Sequence, residues 1–235
     1  MLVCGGCRHY PTGTPPEHVA REKGFTTIFN GKDLSGWSGS PDLWSVKDGA
    51  ITGETNPEHR AKSNTFLIWT NGIVADFELR CSFKVVPNSQ EGFSNSGIQY
   101  RSRVVDPDYW VVGGYQADME AGPTYTGILY EERGRGILAQ RGEKVVIGPD
   151  GKKQVVGSVG KGEEIGAAIK KKDWNDYVII AKGNHLQQFI NGKQTIDVVD
   201  QEQGKAAKAG VLAFQIHAGP PMIVQFKNVR LKTIN

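Results

Sequence analysis

Cysteine is scarce, with three residues in a chain of 235. Cys4 and Cys7 form one Cys-x-x-Cys pair and Cys81 stands alone, which excludes a disulfide-stapled scaffold. A four-ligand zinc site needs two further ligands. His9 and His18 stand at a spacing that fits no zinc pattern, so Cys4 and Cys7 read as a redox pair or part of an unstructured tail. No apolar run approaches the ~18 residues of a membrane helix, so no transmembrane segment is expected. The first seven residues are too short for a signal peptide with charged and apolar regions. Charge of one sign is also missing. The net charge is +3, with bases and acids intermixed, and a nucleic-acid binder would carry a basic stripe. The one dense run, Lys170-Lys171-Lys172, meets Asp173 at once and reads as a solvated turn. No helix of three turns declares itself, and no repeat is visible.

Turn formers and alternating apolar residues are plentiful. The 30 glycines and 11 prolines are spread along the chain and point to many turns and short strands. Residues 1–23 are polar, proline-rich and without periodicity, and read as a flexible tail. Residues 24–235 read as one domain. Phe25 to Phe29 is a strand ending at Asn30-Gly31. Residues 44–46 and 50–52 flank Asp48-Gly49, a hairpin signal. Residues 66–69 form a short apolar strand. Residues 76–86 alternate cleanly, with Phe77, Leu79, Cys81, Phe83 and Val85 on one face. Residues 177–181 and 186–190 flank Gly183-Asn184. Asn191-Gly192 leads into residues 195–199, and residues 210–217 and 222–232 close the series. The stretch 134–166 is less periodic and reads as a long loop or ribbon at a sheet edge, lining a site. This spacing indicates an all-β sandwich or barrel.

Side chains alternate along a strand, so Gln116, Asp118 and Glu120 share one face and Tyr115, Ala117 and Met119 the other. That polar face is either a ligand site or a solvated outer surface. Gln99 and Arg101 share a face of their strand, as do Gln215 and His217 of theirs. Residues 130–135, including Glu131, Glu132 and Arg133, form a dense charged turn, either a salt-bridged surface loop or an edge of the site. Polar pairs on three strands are what a concave sheet needs to bind a polar ligand. The five tryptophans serve as sugar-stacking platforms or as core and rim residues.

The run Gly24-Phe25-Thr26-Thr27-Ile28-Phe29-Asn30-Gly31-Lys32-Asp33-Leu34-Ser35-Gly36-Trp37 resembles the opening of the 3-keto-disaccharide hydrolase family. Later segments fit in order: Trp44 to Gly49, Asp76 to Arg80, Asn95-Ser96-Gly97-Ile98 with Arg101, Gly114-Tyr115-Gln116, Trp174-Asn175 with Tyr177, Asn191-Gly192, Phe214 to His217, and Phe226 to Arg230. The resemblance implies a concanavalin A-like jelly-roll sandwich of two antiparallel sheets with a ligand site on the concave face. It implies an exported bacterial protein, periplasmic or extracellular and often a lipoprotein, and cleavage of glycosides whose sugar carries a ketone at carbon 3. A small carbohydrate is then the partner.

The laminarinase-type glucanases of the same fold place Glu-x-Asp-x-(x)-Glu on a concave strand. Here Gln116 holds the first position, and an amide cannot replace a carboxylate nucleophile. A 3-keto sugar needs no such nucleophile. The ketone acidifies the hydrogen on carbon 2, a base removes it, and the anomeric substituent leaves. In this scheme His217 is the base, Arg101 and Gln99 steady the enolate, and Asp118 and Glu120 supply the acid or hold a divalent metal ion that polarises the ketone. Gln99, Gln116, Tyr115, Gln215 and Glu132 are the substrate-binding residues. The competing reading is a non-catalytic, lectin-like carbohydrate-binding module on the same face.

Overall fold

The computed structural model describes residues 23–234. Cys4, Cys7, His9, His18 and nearly all of the expected tail lie outside them. The described chain runs β1 (Thr26–Thr27), β2 (Trp37–Ser38), β3 (Trp44–Lys47), β4 (Ala50–Glu54), β5 (Thr65–Trp69), β6 (Phe77–Pro87), β7 (Asn95–Asp106), β8 (Val111–Glu120) and β9 (Leu129–Glu132). It continues with β10 (Gly136–Ala139), β11 (Glu143–Ile147), β12 (Lys153–Ser158), α1 (Gly162–Ala167), β13 (Asn175–Lys182), β14 (His185–Ile190), β15 (Lys193–Asp200), β16 (Val211–Ile216) and β17 (Met222–Thr233). No helix among the described residues is long and apolar enough to cross a membrane.

Two sheets face each other. The larger has ten strands, ordered β12-β11-β15-β14-β13-β6-β17-β4-β3, with β1 beside β17; the smaller has seven, ordered β10-β9-β8-β7-β16-β5-β2. The core lies between them, as the alternation predicts. Phe77, Leu79, Cys81, Phe83 and Val85 of β6 point into it and meet Tyr100, Tyr115, Ala117 and Met119 from the smaller sheet. Phe214 stacks between Trp37 and Phe226, at centroid distances of 5.0 and 3.9 Å. Burial raises the Cys81 thiol far above its ordinary pKa, so it is a small core residue. The all-β jelly-roll sandwich is the observed fold.

Two details differ from the sequence expectation, and one of its alternatives is resolved. The sheets are antiparallel except where β11 runs parallel to β15. The stretch 134–166 is the edge ribbon rather than the loop, formed by β10 at the margin of the smaller sheet and by β11 and β12 at the margin of the larger, with the short α1 after them. The Phe25–Phe29 region contributes only Thr26–Thr27 to a ladder. The register of β17 slips between Lys227 and Arg230, and beyond it only Ile28 N–H bonds Val229 O, at 3.0 Å.

Candidate active site on the smaller sheet

The outer face of the smaller sheet carries the polar residues. Gln99 of β7, Gln116 and Asp118 of β8, Glu132 of β9 and Gln215 of β16 come together there through hydrogen bonds. Gln99 Nε2 donates to Gln116 Oε1 at 2.6 Å. Gln116 Nε2 donates to Asp118 Oδ1 at 2.7 Å and to Gln215 Oε1 at 3.4 Å. Gln215 Nε2 donates to Glu132 Oε2 at 3.4 Å, and Asn64 Nδ2 to Glu132 Oε1 at 3.2 Å. Asn64 Oδ1 in turn accepts from the backbone N–H of Ala218 at 3.0 Å. The Gln116 side chain lies flat across β7 because the neighbour there is Gly97. A Cβ at Gly97 would come within 2.4 Å of Gln116 Cγ and Cδ.

This network floors one wall of a cleft of about 430 Å³, lined by Asn64, Phe93, Asn95, Gln116, Asp118, Tyr125, Ile128, Tyr130, Glu132, Ile137 and His217. Other clefts of similar size occur, around Arg141 with Lys170 to Lys172, around Asp200 with Glu202, and around His59 with Tyr109. The Asp118 cleft differs in pairing a buried carboxyl with an imidazole. Asp118 is 5% exposed. Burial pushes its pKa from 3.8 up to about 7; the amides of Gln116 and Asn95 oppose the rise and the charges of Glu120 and Glu132 add to it. At neutral pH this carboxyl can give or take a proton. His217 Nδ1 lies against the carbonyl of Ala218 at 2.5 Å. That contact makes Nδ1 the protonated nitrogen of the neutral ring and leaves the lone pair on Nε2. Phe93 meets the imidazole edge-on at 5.6 Å.

Gln99, Gln116, Asp118, Glu132, Gln215 and His217 therefore share one face, as alternation predicts for Gln116 with Asp118 and for Gln215 with His217. Three other expected site residues do not reach the cleft, although Tyr115 and Glu120 keep the strand faces that alternation gives them. Arg101 sits at a β-bulge with φ of 47°. Tyr100 pairs with Tyr115 and Arg103 with Gly113, so one extra residue reverses the alternation and Arg101 points inward. There its guanidinium donates to Asp76 Oδ1 (2.8 Å) and to the carbonyls of Ala75 (2.6 Å), Gly183 (2.6 Å) and Ala207 (3.3 Å). It is a structural anchor away from the cleft. Tyr115 occupies the core face, tilted against Tyr100, with its hydroxyl donating to Asp200. Glu120 follows the alternation, yet its carboxylate turns into the loop after β8 and accepts the N–H groups of Thr124 and Tyr125.

The metal expectation at Asp118 and Glu120 meets a poor donor set. The Asp118 oxygens accept from two amides and a Glu120 oxygen accepts from two backbone N–H groups. No group of three His, Cys, Asp or Glu among the described residues is arranged to hold a metal ion. The side chains present do not fit a divalent ion.

The charged turn near 131 divides its residues. Glu132 faces the cleft. Glu131 pairs with Arg135 at 2.6 Å, and Arg135 also holds Asp200 at 2.7 Å and Glu202 at 2.9 Å. Asn64, Phe93, Tyr125 and Tyr130 were missed as site residues. Three lie outside strands or at a strand boundary, where periodicity carries no signal, and Tyr130 faces the cleft from a four-residue strand. None of the five tryptophans lines the cleft; Trp37 and Trp44 are core.

The family model for the 3-keto-alpha-glucoside-1,2-lyase-like domain matches residues 24–232. The chain belongs to this family. Solved structures share the fold of this family member at low identity. A provisionally assigned glycosyl hydrolase of Parabacteroides distasonis ATCC 8503 is 20% identical, with a TM-score of 0.55 over 90% of this chain and 94% of that one. The carbohydrate-binding module CBM66 of Bacillus subtilis is 14% identical, with a TM-score of 0.53 over 84% and 96%. A galectin-like protein of unknown function from Bacillus subtilis is 10% identical, with a TM-score of 0.52 over 85% and 90%. No curated protein matches the chain.

Proposed function

We propose that this protein cleaves 3-keto-glycosides by elimination across carbons 1 and 2 of the keto sugar, at the Asp118 cleft. The observation that carries the reading is Asp118: a buried carboxyl with a pKa near 7 that shares a cleft with His217. Nε2 of His217 takes the proton from carbon 2, and the C–H electrons move into an enolate on the carbon 3 oxygen. Tyr130 is the donor for that oxygen. Burial first, then the nearby Glu132 and Asp118, raise its pKa, so the phenol keeps its proton. As the ketone reforms, a double bond joins carbons 1 and 2 and the bond from carbon 1 to the aglycone oxygen breaks. Asp118 gives that oxygen its proton. Water adding across the product double bond makes the net change a hydrolysis. Glu132 and the amides of Gln116 and Asn95 bind sugar hydroxyls. Arg101 and Glu120 touch no substrate. An exported location, periplasmic or extracellular, belongs to the same reading.

The test is an assay on 3-keto-trehalose and 3-keto-β-glucosides beside the unoxidised sugars, with and without chelator. Cleavage of the keto forms alone is expected, unaffected by chelator. His217→Ala and Asp118→Asn should each lower turnover by at least about 100-fold while leaving the fold intact. Binding of sugars with no cleavage of any keto form would establish a lectin-like module instead.

A further inference from the structure

We propose that Gln99 and Ser102 are positioning residues. They form a relay of hydrogen-bond donors that fixes the orientation of the Gln116 amide and thereby sets the proton affinity of Asp118, and the β-bulge at Arg101 places Ser102 in that relay. The proposal rests on the reading of Asp118 as the proton donor. Its geometry is continuous. Ser102 Oγ donates to Gln99 Oε1 at 2.6 Å, Gln99 Nε2 to Gln116 Oε1 at 2.6 Å, and Gln116 Nε2 to Asp118 Oδ1 at 2.7 Å. All four side chains are at most 5% exposed, so water cannot substitute for a lost partner within the row.

Direction is what gives the row its effect. A primary amide has a donating and an accepting end. Turning Gln99 over would set its carbonyl against that of Gln116, which would have to turn as well. Gln116 would then present a carbonyl to Asp118, an arrangement that suits only the protonated acid. The forward orientation instead gives a donor to the ionised form, which favours it. The Ser102 hydroxyl biases the row forward. Its other neighbours, the carbonyls of Tyr100 at 3.1 Å and Tyr115 at 3.4 Å, are acceptors too, so Oγ–H is a donor in this setting and Gln99 Oε1 is its shortest partner.

Unbroken alternation from Gln99 would carry residue 101 to the cleft face. The extra residue in β7 sends Arg101 into the sandwich and leaves Ser102 in its place. Opposite the bulge stands Gly114 with φ of +146°, where a Cβ would lie 2.5 Å from Ser102 Oγ and 2.7 Å from its Cα. Only glycine admits Ser102 this closely.

The other titratable groups around Asp118 are Glu120 on the same strand, Tyr130 and Glu132 on β9, His217 beyond β16, and Tyr177 from β13 of the facing sheet. None is altered in the test. The Asp118 carboxyl is titrated by carbon-13 NMR in the unliganded protein, its resonance identified by its loss in Asp118→Asn. The proteins compared are wild type, Ser102→Ala, Gln99→Met and the double variant. Each single variant should raise the Asp118 pKa by about one, a tenfold gain in proton affinity, and the double variant should match Gln99→Met. Unmoved values in the folded single variants, or shifts that add in the double, overturn the relay. Either single variant suffices should the other fail to fold. Because the titration uses no substrate, an absence of keto-glycoside cleavage leaves it unaffected and bears only on the proposed function.

Discussion

Asp118 binds its proton more tightly folded than unfolded, since its pKa rises from 3.8 to about 7. Between those values the native state holds more protons, so the Asp118 contribution to stability falls as pH rises and levels off above pH 7. The penalty at pH 8 is at most roughly 4 kcal/mol. Asp118→Asn should therefore melt higher than wild type at pH 8 and lose that advantage by pH 4.5, read by thermal denaturation at both values. An advantage independent of pH would contradict it. Gly97→Ala tests the floor of the cleft. With a methyl 2.4 Å from Gln116 Cγ, the amide must move. Turnover should drop about 100-fold, and overpacking should cost about 1–3 kcal/mol. Unchanged rates on 3-keto-trehalose would show that Gln116 does not need this position. At this scale strand alternation made Gln99, Gln116, Asp118, Gln215 and His217 legible. Asn64 and Tyr125 were not, because a loop residue's direction depends on contacts distant in sequence, such as Asn64 with Ala218.

Elements explain the remaining misplacements. A bulge has no reliable mark in a single sequence, so Arg101 appeared on the cleft face. Its four partners make the bulge costly to disturb. Arg101→Met should lose about 1–3 kcal/mol, because Asp76 and the carbonyls of Ala75, Gly183 and Ala207 lose a donor that water only partly replaces. Urea unfolding measures this, and a loss below 0.5 kcal/mol would mean the bulge holds without its anchor. The parallel strand β11 was hidden for a different reason. Its partner β15 lies some fifty residues on, with Lys144 opposite Asp197, and local turn signals do not report such pairings. At the sheet margin, all six residues of β12 are exposed, with Val155 at 57% and Val156 at 59%. A strand held on one side only should open locally. Hydrogen exchange should be faster across β12 than across β6 or β17, and protection equal to β6 would refute that.

For the molecule as a whole, the sandwich was legible because two kinds of signal agreed. Period-2 apolar residues marked the long strands β6, β13, β14 and β17, and Asp48-Gly49, Gly183-Asn184 and Asn191-Gly192 marked the turns between neighbours. Which strands share a sheet is set by packing across the core, and that appears only in three dimensions. The position of β17 has a consequence for how the chain comes into being. It lies between β6 and β4 in the interior of the larger sheet and carries Thr26 against Leu231. A ribosome delivers β6 well before residues 222–233 exist. Until then two strands wait with open backbone edges and the first half of the core has no lid. The larger sheet can therefore close only after this segment has emerged, and the last strand made is the one that joins the halves.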